Sequence, residues 1–112
     1  MDIKDKFTQK GGVRLDTNNA TWPFAKIVVT RGKIKLKIFS NEYELGKDEI
    51  IELREYRGLF SKGILIEHKR ADYPEHMAFW TLNFKKLKQG IEVLGYTVGP
   101  PNRPEAWWRD GP

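Results

Sequence analysis

Phe24-Ala25-Lys26-Ile27-Val28-Val29-Thr30-Arg31-Gly32-Lys33-Ile34-Lys35-Leu36-Lys37-Ile38-Phe39 is the stretch that decides the fold. Apolar and polar residues alternate on both sides of Arg31-Gly32, the period of two that a half-buried strand requires. A glycine in so short a turn supplies the positive φ of a tight hairpin. Pairing about that turn sets Val29 opposite Ile34, Ile27 opposite Leu36 and Ala25 opposite Ile38. A second turn at Ser40-Asn41 sets Ile38 opposite Tyr43 and Leu36 opposite Leu45. Both registers agree on one buried face: Ala25, Ile27, Ile34, Leu36, Ile38, Tyr43 and Leu45. A one-residue slip at either turn would carry that whole set into water.

Outward from this unit, further strands follow. Ile50–Tyr56 places Ile51 and Leu53 on one face, with Glu52 and Arg54 on the other. Ile64–His68 alternates with Ile64 and Ile66 inward, and Met77–Leu82 is dense in bulky β-formers. Trp22 and Trp80 lie in strand-like runs and read as core. Gly58 to Gly63 forms a loop, and Ala71 to His76 a turn, because Pro74 cannot donate to a ladder. Gly12–Asp16 reads as a weak first strand, followed by a polar loop over 17–21. After these comes one helix, Phe84–Leu94, with Phe84, Leu87, Ile91 and Leu94 in a single apolar stripe. Asn83 is its N-cap and Gly95 its stop. Gly90 costs about 1 kcal/mol relative to Ala in mid-helix, which points to close approach of backbone and sheet. Beyond Val98, Gly99-Pro100-Pro101-Asn102-Arg103-Pro104 cannot continue a helix. The chain therefore reads as mainly β: one domain over 1–98, with strands within 12–82 and a helix over 83–95. A tail over 99–112 carries prolines and Trp107-Trp108.

About seven strands in a meander, then one C-terminal helix, resemble the pleckstrin-homology-like (PH-like) superfold, including GRAM domains and small uncharacterised prokaryotic members. The residues that carry the resemblance run from Trp22-Pro23-Phe24-Ala25-Lys26 through Phe60-Ser61-Lys62-Gly63-Ile64 to Phe79-Trp80-Thr81-Leu82. It implies a β-barrel of antiparallel strands in two roughly orthogonal sheets, with the helix closing one open end. It also implies a binding module, since PH-like domains take lipid headgroups, peptides or other domains and are usually not enzymes. Fold alone does not fix function.

Composition narrows the classes. The chain has 112 residues, enough for one core. Hydrophobic residues make up 39% and charged residues 31%, which excludes an intrinsically disordered chain. No apolar run approaches the roughly 18 residues of a membrane span, and Met1-Asp2-Ile3-Lys4-Asp5-Lys6-Phe7 lacks the apolar core of a signal peptide. A cytoplasmic protein is expected. With no Cys, thiolate metal sites and thiol nucleophiles are excluded. The protein is basic, net +5. Its charge is segregated, however: basic stretches at 31–37 and 85–88 flank an acidic one over 42–55.

The basic hairpin Arg31, Lys33, Lys35 and Lys37 is the first candidate anion or partner site, resembling the spaced Lys and Arg of phosphoinositide-binding PH domains. A solvated strand face accounts for the same residues, and the register gives Lys37 a cross-strand partner in Glu44 while setting Lys26 against Lys37. Lys85, Lys86 and Lys88 are the second. They sit where the helix dipole is already positive and would attract an anion, or simply project into water. The third is apolar: Leu59 and Phe60 in a glycine-flanked loop, and Trp107 and Trp108 in the tail. Each pair reads either as a contact for a membrane or partner or as cover for this chain's own barrel.

Catalytic patterns are missing from the sequence. Asp72, Glu75 and His76 share one turn, a spacing too weak for a metal site. Neither Ser40 nor Ser61 lies in a nucleophile elbow, and no glycine loop cradles phosphate. The expectation is a non-catalytic module without cofactor, catalytic residue or metal. Its partner would be a protein or an anionic membrane surface. Nucleic acid is the alternative, weakened by aromatics that read as core; a structural or homo-oligomerising role is the other.

Overall fold

The computed structural model of the chain describes residues 5–16, 19–58 and 61–101. The described residues form eight strands: β1 Lys6–Leu15, β2 Asn19–Thr30, β3 Lys33–Ile38, β4 Asn41–Gly46, β5 Ile50–Arg57, β6 Lys62–His68, β7 Met77–Thr81 and β8 Val98–Gly99. Among the described residues an α-helix, α1 Phe84–Val93, lies between β7 and β8, and a single 3-10 turn over Lys47–Glu49 joins β4 to β5. All strands join one curled sheet in the order β4-β3-β2-β1-β7-β6-β5-β8. Neighbours pair antiparallel except β5 and β8, which run parallel. The class is mainly β, as the sequence predicts. The eighth strand is an addition, made from residues straddling the boundary between domain and tail.

Curling gives the sheet an inside. Phe7, Ile27, Ile34, Leu36, Leu45, Ile64, Ile66, Met77 and Phe79 point inward and are fully buried. Leu87 and Ile91 of α1, with Leu94 just after it, complete that core. The missing side chain at Gly90 is what lets α1 in: a Cβ there would overlap the Phe7 ring. Both ends of α1 carry the caps expected from the sequence. Asn83 accepts a hydrogen bond from the Lys86 backbone N–H at 3.2 Å. Gly95 takes φ +98, while the backbone N–H groups of Gly95 and Tyr96 donate to the Glu92 and Ile91 carbonyls at 3.0 and 3.3 Å. This paired arrangement satisfies carbonyls that the helix end would otherwise orphan.

The β2–β3 hairpin has the predicted register, Val29 with Ile34, Ile27 with Leu36 and Ala25 with Ile38. The next one is slipped by two residues. Ile38 faces Asn41, Leu36 faces Tyr43 and Ile34 faces Leu45, so the turn is Phe39-Ser40. An even slip keeps the inward set inward. The backbone explains the difference: Phe39, not Gly32, takes the left-handed conformation, with φ 54. Lys37 consequently faces Glu42, not Glu44, and Lys26 stands opposite Lys37 as expected.

Three further expectations change. The first strand is long and central, joining β2 on one side and β7 on the other. A register irregularity between Ile50 and Glu52 turns Ile51 outward, where it is exposed. Trp22 is not core: it lies half in water, and Trp80 is only partly buried, packed on the outer face against Tyr56, Leu65 and Ala78.

Candidate functional site

Strand alternation dictates which side chains share the outer face of β1–β4, because those flanking Phe7, Ile27, Ile34 and Leu45 must point away from the core. Two cross-strand rows result. Lys10 faces Lys26, Lys26 faces Lys37, and Lys37 faces Glu42. Thr8 faces Val28, Val28 faces Lys35, and Lys35 faces Glu44. With Lys6 and Lys33, six lysines stand against two glutamates on this face. Lys33, Lys35 and Lys37, separated in sequence by inward residues, thus converge on one surface.

The acidic stretch neutralises only part of it. Lys33 Nζ lies 3.1 Å from Glu44, Lys35 reaches Glu42 and Glu44 at 3.7 and 3.9 Å, and Lys37 lies 3.4 Å from Glu42. Two carboxylates are shared among three lysines. Lys10 and Lys26 have no ion pair among the described residues, although they face each other directly. Like charges in opposed positions repel, so this row is a positive potential that an anion would relieve. Arg31 sits exposed in the turn at the far end of the same hairpin.

At the near end the sheet carries aromatic residues in water. Between Ala25, opposite Gly11, and Ala20, opposite Val13, β2 uses four residues where β1 uses only Gly12. Thr21, Trp22, Pro23 and Phe24 are therefore pushed out of the ladder, and all four are exposed. Pro23, which has no N–H to donate, is the sequence signal for such a bulge. Phe24 is 57% exposed and Phe39 73%. Their rings stack at 6.0 Å with 23° between planes. Phe24 lies two residues from Lys26 and Phe39 two from Lys37, so the aromatic pair adjoins the lysine row.

The second basic group does not join the first. Lys85 and Lys86 are exposed at the start of α1, which packs on the inner side of the sheet. Lys88 pairs with Glu92 at 4.0 Å, one helical turn on. The apolar candidates Leu59, Phe60, Trp107 and Trp108 lie outside the described residues.

Both histidines are hydrogen-bonded to neighbouring turns. A groove of about 310 Å3 beside β5 and β6 is lined by Arg54, Glu67, His68, Glu75 and His76, among others. His68 Nδ1 accepts from the Arg70 backbone N–H at 3.0 Å, which leaves Nε2 to donate to the Pro74 carbonyl at 2.7 Å. Both nitrogens are thereby occupied. His76 Nδ1 meets Asp16 Oδ1 at 2.9 Å, while Asp16 Oδ2 accepts the Glu75 and His76 backbone N–H groups at 2.9 and 3.3 Å. Burial tends to raise the Asp16 pKa, but the hydrogen bonds from His76 outweigh it and hold the carboxyl below its ordinary value. Among the described residues, no three His, Asp or Glu side chains are grouped to hold a metal ion, and no helix is long and apolar enough to cross a membrane.

No protein-family model matches this chain, and no curated protein matches it.

Proposed function

We propose that the protein is a non-catalytic binding module of PH-like architecture, and that it associates with an anionic surface through the outer face of β1–β3. The observation that carries this reading is the unbalanced lysine field, with Lys10 and Lys26 opposed and lacking an acidic partner among the described residues. The PH-like part is supported by the order of elements, a strand meander followed by a helix packed on the inner side of the sheet. Exposed single charges contribute little to stability. A one-signed field does raise the local concentration and on-rate of an oppositely charged partner.

Co-sedimentation tests it, with phosphatidylcholine vesicles and with vesicles also containing phosphatidylglycerol, each at low and high salt. The expected result is binding to anionic vesicles alone, lost as salt rises. K10E/K26E should abolish it with an unchanged melting temperature, and K85E/K86E should leave it intact. If K85E/K86E removes binding instead, the helix start is the site.

A second reading, single-stranded nucleic acid, is favoured by one observation: Phe24 and Phe39 are in water instead of in the core. Bases stack on exposed aromatic rings beside basic residues. The two rings here stack on each other, which takes up faces that bases would use. The membrane surface is therefore the first choice.

A further inference from the structure

We infer that the Trp22-Pro23-Phe24 bulge of β2, together with Phe39, is a wedge that enters the interfacial layer of an anionic bilayer, with the lysine row as its collar. This rests on the reading above and adds a depth and an orientation to it. All of Thr21 to Phe24 lie outside the strand ladder and are exposed. A protein keeps a cluster of large apolar side chains in water at a cost, and such patches mark surfaces that meet something less polar than water. The lysines next to this one specify the charge of what it meets.

Distance along the strands fits a membrane. Lys26 and Lys37 stand two residues behind Phe24 and Phe39, or roughly 7 Å at about 3.3 Å per residue. Interfacial segments bury their apolar groups about 5–10 Å into the boundary between headgroups and acyl chains. With the two rings at that depth, Lys10, Lys26 and Lys37 come level with the lipid phosphates. The Phe24–Phe39 stack makes the tip compact, and Trp22 has the amphipathic ring that favours the headgroup level. Glu42 stands opposite Lys37 at the β4 end of the row and pairs with it at 3.4 Å, so the collar's unpaired charge among the described residues is that of Lys10 and Lys26, on the β1–β2 side next to the bulge.

The full chain is tested on the same two vesicle types, with two readouts. One is affinity of F24S/F39N. Both positions are exposed, and Asn tolerates the left-handed φ of Phe39, so the fold is retained and melting confirms it. The other is Trp22 emission, read as the difference between the parent and W22F with each vesicle. The expected result is about tenfold weaker binding of F24S/F39N to anionic vesicles at fixed salt, the order of one buried aromatic side chain, together with a blue shift of the Trp22 component. Parent-like binding by F24S/F39N with no Trp22 shift overturns the wedge, while loss of binding in K10E/K26E keeps the charged surface. Parent-like binding by both variants overturns both readings. Failure to bind any vesicle, with salt-sensitive oligonucleotide binding that F24S/F39N loses, overturns the wedge in favour of nucleic acid.

Discussion

The outer face of β5–β7 and the outer face of β1–β4 belong to one sheet and are finished in opposite ways. Over the first, Tyr56, Leu65 and Ala78 are buried, and Trp80 packs against them. The Trp80 indole also lies across Gly12, in space that a Cβ there would occupy. Over the second, lysines and glutamates project from each strand, and the aromatic residues Phe24 and Phe39 stand in water. A sheet needs only one covered face to be stable. The covered outer face therefore adds stability, and the uncovered one is the face on which the proposed contact is placed. If this division is right, substitutions in the two regions must differ in what they disturb: melting in one, binding in the other.

The largest difference is expected between two glycines. Gly63 sits in the row Tyr56–Gly63–Trp80 of the covered face, and a Cβ there would overlap the Phe79 carbonyl oxygen and the Trp80 backbone. These are main-chain atoms of the paired strand, so neither can swing away. G63A should cost about 3 kcal/mol, the upper end for overpacking. Gly32, in the turn of the uncovered half, has no neighbouring atom within 4 Å of such a Cβ. G32A should change stability by less than about 0.5 kcal/mol. Urea melts of both proteins check this, and equal costs would break the comparison.

A smaller contrast is expected between the tryptophans. W80A removes the outer cover and exposes Tyr56 and Leu65, at about 2 kcal/mol, below the usual core value because Trp80 is itself partly exposed. W22A should cost less than about 0.5 kcal/mol, since Trp22 is 46% exposed in its bulge. A melting loss in W22A equal to that of W80A would mean that Trp22 belongs to a packed cluster, and the wedge would lose its tip.

How far the sequence reveals this division depends on the range of the interaction involved. The β2–β3 register and both caps of α1 are local: alternation about Arg31-Gly32 sets one, and Asn83 and Gly95 set the others. The inward set survives even the slipped β3–β4 turn, because a shift of two preserves the face. What stayed hidden depends on distant partners. Gly11-Gly12 interrupts the pattern of β1 and makes it read short, yet the close approach of Trp80 is what requires Gly12. Trp22 reads as core from its β-forming neighbours, and only Pro23 signals that the strand leaves its ladder there. The lysine row is mostly legible: Lys33, Lys35 and Lys37 stand out by spacing and Lys26 by the hairpin register, whereas Lys10 joins them only through the pairing of β1 with β2.

The smallest effect concerns what ties the two regions together. Tyr96, buried just beyond α1, donates its hydroxyl to the Thr30 carbonyl of β2 at 2.7 Å. Lys47 reaches the Gly95 carbonyl at 3.0 Å and lies over the Tyr96 ring, so the end of the helix is held to the β1–β4 half. Y96F removes one hydrogen bond and should cost about 1 kcal/mol at neutral pH. Burial raises the Tyr96 pKa above that of a free phenol, and the sign of the pH effect follows. A group with a raised folded pKa contributes stability that is complete below its unfolded value, about 10 for tyrosine. That contribution disappears as pH rises through the folded value, because the deprotonated phenolate can no longer donate to Thr30. The parent should therefore lose stability above about pH 10 faster than Y96F does, and the gap between their melting temperatures should close. A gap that stays constant across that range would mean that the hydroxyl is hydrated and that ring packing alone joins the halves.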